Sequence, residues 1–242
     1  YKTTDEEKVH YLKGYTQYLQ NWLTAYSKEG EGLKVDYTGF HHNTYYPLYT
    51  FGAYNSLSEV VRLISGGTFG ISSEKRALFT NTLLLARVIM SDSNFPNSLS
   101  GRSPFGSISI TKSLKNVGLA SPEDAKLLAA YNYISGGDSD TNSYVVETPP
   151  IGFWQVNYAN LGAYRQSDWV VDIKGFNKYF WGTEIYTTDN RFGRYQSYGA
   201  VEVLYVGGNS AAGFNINGWD WNKVPGATTI HLPWNDLEAK TN

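Results

Sequence analysis

Four histidines occur in 242 residues, and two of them are adjacent, His41 and His42, in the stretch GFHHNTYYPLYTFGAYN. Imidazole is the side chain best suited to moving protons near neutral pH, and phenols follow it at Tyr45, Tyr46, Tyr49 and Tyr54. The run reads as an acid–base cluster or, more plainly, as a surface histidine pair beside aromatic packing. A second candidate is SGRSPFG, where Gly101 and Ser103 bracket Arg102. A short loop bounded by Gly and Pro presents a guanidinium at a fixed angle, suited to carboxylate or sulfate; the plainer reading is a solvated arginine. The third is WGTEIYTTDNRFGRYQSYG, with Glu184, Asp189, Asn190, Arg191, Arg194 and Tyr195. A salt-bridged hairpin would have the same composition. In the fourth, NGWDWNKVPGATTIHLP, Trp219 and Trp221 flank Asp220 as a sugar platform or as a core strand.

Other chemistries leave no trace. There is no Gly-rich phosphate loop, no His-Glu-x-x-His metal signature and no GxSxG elbow. With no cysteine, disulfides and thiolate metal sites are excluded, which fits a secreted or periplasmic bacterial protein. A net charge of -2 lacks the basic excess of a nucleic-acid partner, so no nucleic acid is expected, and positive charge for a polyanion must be local. No stretch approaches the ~20 apolar residues of a membrane span. Aromatic residues make up 16% of the chain, with 20 Tyr and 7 Trp. Such rings stack on the apolar faces of sugars, although β-rich proteins share this bias.

The elements that must position these groups fall into two halves. Thr4 with Glu7 forms a capping box, followed by Leu12, Tyr15, Leu19, Trp22, Leu23 and Tyr26 at helical spacing. Ser56 with Glu59 predicts a second helix start, which leaves the histidine segment in a loop between helices. A third helix is predicted over Ser73–Met90, and a fourth opening at Ser121 with Pro122 at its first position. After Pro149 and Pro150 the period becomes strand-like, over Trp154–Tyr164, Trp169–Lys174, Glu184–Tyr186, Gly199–Tyr205 and Thr228–Leu232. The expectation is an α+β chain: helices over 1–146, then antiparallel strands over 147–242. Neither half looks complete, so a piece of a larger enzyme is expected.

Taken in order, HHNTYYPLYTF, GRSPFG, EIYTTDNRFGRYQSYG and GWDWNKVPGATTIHLP resemble polysaccharide lyase family 8, and within it the broad-specificity chondroitin sulfate ABC lyases. The resemblance spans roughly residues 36–236. It implies part of a helical (α/α) toroid followed by an antiparallel β-sandwich, with a catalytic cleft at their junction. It also implies catalytic roles for His42, Tyr49, Arg102 and Glu184, with His41, Asn190, Arg191, Arg194, Trp219 and Trp221 left as substrate-binding candidates. Hyaluronate and chondroitin AC lyases carry Glu-x-x-Asn near this Glu, whereas here Glu184 is followed by Thr187, and their catalytic Asn is unidentified.

The implied activity is β-elimination at the uronate of chondroitin or dermatan sulfate, and of hyaluronan in the broadest case, leaving unsaturated oligosaccharides. The partner is then an acidic polysaccharide, with the remainder of the parent chain completing the fold. No organic cofactor is implied. A divalent cation such as calcium is a candidate, with Asp36 and His41 its loose surroundings. The competing readings are a glycoside hydrolase and a non-catalytic carbohydrate-binding module.

Overall fold

A computed structural model describes residues 4–91, 94–186, 190–205 and 219–238. Helix α1, Asp5–Trp22, opens on the expected capping box: Glu7 N–H donates to Thr4 Oγ1, and Thr4 N–H to Glu7 Oε2, both at 3.2 Å. Only its edge through Thr16 and Leu19 is buried, and Tyr11, Tyr15, Tyr18 and Trp22 stand exposed along it.

A three-stranded antiparallel sheet, not expected from the sequence, comes next: β1 Gly32–Leu33, β2 Gly39–His41 and β3 Thr44–Tyr45. His41 pairs with Thr44, so His42 and Asn43 alone make the turn, at φ 51° and 55°. Positive φ at both central residues is the turn whose twist matches a hairpin.

Helix α2 spans Pro47–Ile64. The Ser56/Glu59 pair thus lies inside the helix rather than at its start. Pro47 sets the first helical φ, and Tyr46 occupies the N-cap without a side-chain cap. This correction moves Tyr49 and Tyr54 from a loop onto a helix. Helix α3, Ser73–Ile89, agrees with expectation and starts where Ser72 Oγ accepts Lys75 N–H. Helix α4, Thr111–Ala120, was not legible, being one short run interrupted by Gly118. A Cβ on Gly118 would lie 2.6 Å from Leu128 Cδ2, so glycine lets α4 and the next helix touch. That helix, α5, is Lys126–Ser135; Ser121 and Asp124 form a turn before it instead of its first turn.

The second sheet is an antiparallel meander of β4 Gly152–Val156, β5 Leu161–Arg165, β6 Trp169–Lys174 and β7 Ala200–Tyr205. The run expected as one strand, Trp154–Tyr164, is a hairpin, because Asn160 takes φ 48° and turns the chain. Val156, Leu161, Ala163, Val170 and Leu204 on its inner face join one core with Phe51, Phe79, Leu83 and Ile89 of the helices. Two expected strands are absent. The Glu184–Tyr186 segment is held by the Asn190 side chain, which accepts Tyr186 N–H (2.8 Å) and donates to Glu184 O (2.8 Å). In 228–232, Asn222 does the same for Leu232, accepting its N–H at 2.9 Å and donating to its carbonyl at 3.1 Å. Side-chain amides satisfy backbone groups that a ladder would otherwise need. Among the described residues no helix is long and apolar enough to cross a membrane.

Candidate active site

The hairpin, the first turn of α2, the 100–106 loop and the 183–186 segment meet at one place. His42 Nδ1 lies 2.6 Å from Glu184 Oε1. Tyr46 Oη donates to Glu184 Oε2 at 3.1 Å and accepts Arg102 N–H at 3.1 Å. The Arg102 guanidinium donates through Nη2 to Tyr49 Oη at 2.7 Å, stands 3.9 Å from Glu184 Oε2 through Nε, and rests over the Tyr186 ring. His42, Tyr49, Arg102 and Glu184, separated by as many as 142 residues, are therefore one cluster.

Exposure separates their roles. Glu184 is 6% exposed and Tyr46 1%, while Tyr49 is 40% exposed and faces the open side. An ionised carboxylate only accepts, so Nδ1 of His42 is the nitrogen that carries the hydrogen in this contact, and in the uncharged tautomer Nε2 is left with a lone pair. The phenol of Tyr46 is pushed far up, first by burial and then by Glu184, against the opposing pull of the Arg102 N–H. It stays a protonated donor. Tyr49, lying beside it, holds Arg102 above the usual arginine range, with Glu184 adding to this and burial opposing it.

His41 belongs to the same face. Its Nδ1 lies 3.0 Å from Glu31 Oε2, and its ring packs at a tilt against those of His42 and Tyr49 with centroids 4.0 and 4.4 Å away. The turn after His41 breaks strand alternation, so the adjacent histidines lie side by side while keeping separate carboxylates. The Glu31 carboxylate also accepts Asn43 N–H at 3.2 Å, and the buried Lys34 ammonium holds the loop before it, donating to Lys28 O (2.9 Å) and Gly30 O (2.6 Å).

The other sequence candidates sit farther out. Asn190 is buried, and its amide donates to Gly101 O, Glu184 O and Gln196 Oε1, so it clamps protein rather than facing solvent. Arg191 is exposed, 3.4 Å from Glu238. Arg194 is half-buried in a 3-10 turn, Gly193–Tyr195. Trp221 meets Phe105 edge to face at 6.4 Å and packs with Tyr195 and Val224. Trp219 lines a cavity of about 290 Å³ with Glu202 and Pro225. Thr187 and Asp189 lie outside the described residues. The oxygens of Asp36 accept from Thr38 (2.6 Å) and Tyr158 N–H (2.9 Å), and His41 is taken by Glu31, so this pair does not fit a cation site. Among the described residues no group of three or more metal-ligating side chains gathers.

Sequence reasoning missed Glu31, Tyr186 and the function of Tyr46. Tyr46 was visible only as one of four tyrosines, and nothing local marked Glu31.

An imidazole backed by a carboxylate, beside an exposed phenol backed by a guanidinium, is an arrangement able to move protons. Residues 2–126 match the family model described as "Lyase, catalytic", and the chain belongs to that family. It is 36% identical over 244 residues to the chondroitin sulfate ABC exolyase of Proteus vulgaris, covering 93% of this chain and 24% of that protein. To the chondroitin sulfate ABC endolyase of the same organism it is 32% identical, over 97% of this chain and 24% of that protein. The chain thus spans about a quarter of the length of these relatives. Its fold is similar to that of the Streptomyces coelicolor A3 chondroitin AC lyase in complex with chondroitin sulphate, with a TM-score of 0.67 at 13% identity, covering 90% of this chain and 36% of that one. A Paenibacillus xanthan lyase shares the fold too, with a TM-score of 0.61 at 12% identity, over 93% of this chain and 25% of that one.

Proposed function

We propose that this chain is the catalytic portion of a bacterial glycosaminoglycan lyase that cleaves chondroitin and dermatan sulfate, with hyaluronan a further substrate, by β-elimination at the uronate. The observation that carries this reading is the contact of Arg102 with Tyr49 beside the His42–Glu184 pair. Elimination removes the uronate C5 proton and breaks the bond from C4 to its oxygen. The C5 proton is weakly acidic, so charge that develops on the carboxylate needs a cation nearby. Arg102 stabilises negative charge on the Tyr49 oxygen. Tyr49 takes the proton of glucuronate, the C4–oxygen bond breaks as the double bond forms, and Tyr49 returns the proton to the leaving oxygen. Iduronate offers its proton from the opposite face; there His42 Nε2 takes it while Tyr49 protonates the leaving group. Glu184 orients His42 and is not a nucleophile. His41, Arg191, Arg194, Trp219 and Trp221 flank the substrate. No organic cofactor enters this scheme.

The helices within 1–146 are read as part of an α/α toroid and the strands within 147–242 as one sheet of a β-sandwich. Two uncovered surfaces support this. The outer face of the meander carries Phe153, Tyr164, Ile173, Val203 and Tyr205, all exposed, although an antiparallel sheet facing water is ordinarily polar on that side. Helix α1 carries its exposed aromatic row. In the full-length protein both are covered by the rest of the chain. Secretion or a periplasmic location fits a polymer substrate outside the cell.

The test is ultraviolet absorbance of the full-length protein acting on chondroitin, dermatan, hyaluronan and heparin. A lyase leaves an absorbing unsaturated uronate. A hydrolase product lacks the double bond, and a binding module consumes nothing. Cleavage without the absorbing product rejects elimination.

A further inference from the structure

The two groups able to take the C5 proton, His42 and Tyr49, are joined by an unbroken series of contacts. It runs from His42 Nδ1 to Glu184 Oε1, from Glu184 Oε2 to the Tyr46 hydroxyl, from that hydroxyl to the backbone N–H of Arg102, and from the Arg102 guanidinium to Tyr49. Building on the elimination reading, we propose that Tyr46 is a positioning residue that couples the two bases, its hydroxyl fixing the Glu184 carboxylate and the Arg102 loop together.

The hydroxyl has one proton, and Glu184, an acceptor only, receives it; a lone pair remains for the Arg102 N–H. Burial and Glu184 keep this phenol protonated, so it is no rival base to Tyr49. Its ring lies directly under Gly101: a Cβ there would come within 2.2 Å of Tyr46 Cζ, and Gly101 adopts φ 57°. Only glycine lets the loop approach closely enough for the Arg102 N–H to reach the hydroxyl. Asn190 braces the same two segments from behind, donating to Gly101 O at 3.0 Å and Glu184 O at 2.8 Å. The groups facing the carboxylate from all packed segments are His42, Tyr46 and Arg102, with Tyr49 and His41 one contact further.

Removing the hydroxyl has two separable consequences. Glu184 Oε2 loses a donor, so its charge rests more on His42 and favours the protonated imidazole. The Arg102 N–H loses its acceptor, and the loop is free to shift the guanidinium away from Tyr49.

The experiment is Tyr46→Phe in the full-length protein, which keeps the ring beneath Gly101. On chondroitin, kcat is expected to fall about 10- to 100-fold, the scale of a small misplacement of a reacting group, with KM changed by less than about threefold. The acid limb of kcat on dermatan moves to higher pH by about half a unit, because the protonated imidazole persists longer. The pH dependence of diethyl pyrocarbonate acylation at His42, followed by mass spectrometry, shifts the same way without reference to turnover. Wild-type kcat, or a uniform fall with both pH dependences unmoved, overturns the coupling. If the wild-type protein forms no unsaturated product from any uronate polymer, the elimination reading fails instead, and the acylation profile still decides whether Tyr46 acts on His42.

Discussion

Two carboxylates, Glu184 in the site and Asp172 under the meander, are 6% and 1% exposed, yet their surroundings are opposite. Each oxygen of Glu184 has a donor, His42 or Tyr46, with Arg102 nearby. Neither oxygen of Asp172 has a hydrogen-bond partner among the described residues. Across the sheet it stands directly opposite Glu202, whose own oxygens accept from Asn97 N–H (2.6 Å) and Ser98 N–H (2.9 Å). Arg165, the nearby cation, gives its guanidinium to the Val88 and Met90 carbonyls at the end of α3. Burial, and then Glu202, hold the Asp172 carboxyl well above the usual range, with Arg165 opposing them. Burial alone therefore does not mark a reactive group. A carboxylate with committed donors orients a neighbour, whereas one without them holds a proton.

Substitutions can break or sharpen this contrast. The largest effect is expected at the exposed end of the site: Tyr49→Phe in the full-length protein lowers kcat by about 10²–10⁴-fold with glycan binding retained. Retention of more than half the activity on chondroitin would remove Tyr49 from its assigned role. Next, His42→Ala is expected to damage dermatan cleavage about tenfold more than chondroitin cleavage, part of the range for a lost general base. Equal losses in kcat/KM would mean that His42 serves both epimers alike. Glu184→Gln follows the same pattern more weakly, because it orients the base without being one.

The smallest effect concerns stability. Because the folded value of Asp172 lies above the ordinary 3.8, the folded protein binds a proton that the unfolded chain releases. The stability from this group is complete below that range and lost as pH rises through the folded value. Asp172→Asn should therefore gain stability over the wild type as pH rises from acid to neutral, by about 1.4 kcal/mol for each pH unit over which the unfolded aspartate is ionised and the folded one is not, with the gain vanishing at acid pH. Urea midpoints measured across pH check it. A gain that persists at low pH, or a loss of turnover, would contradict the contrast.

Much of the site was legible because its members are rare residues in short, distinctive segments. His42, Tyr49, Arg102 and Glu184 could be named from the resemblance that these segments carry, and the structure brings all four together. Helix α3 and strand β6 were legible from period alone, since their burial repeats regularly. The start of α2 was not, because Ser56 and Glu59 imitate a cap inside a helix that Pro47 had already begun. The small sheet was hidden because its strands have two or three residues, too few for a period. Tyr46 and Glu31 were hidden for another reason. Tyr46 acquires its meaning from Gly101, distant in sequence, and Glu31 from His41 across the small sheet, and no single segment's pattern encodes such a meeting.

The turn at His42 and Asn43 has a consequence for tolerated variation in length. With φ 51° and 55° at its two residues, this hairpin has no slack. An insertion or deletion of one residue between Phe40 and Tyr45 would change the loop class and flip the following side chains to the other face. The imidazole would then point away from Glu184 with its chemistry intact and its address wrong. Homologous chains with this hairpin should keep the number of residues there and confine position 43 to residues that tolerate positive φ, such as Asn, Asp or Gly.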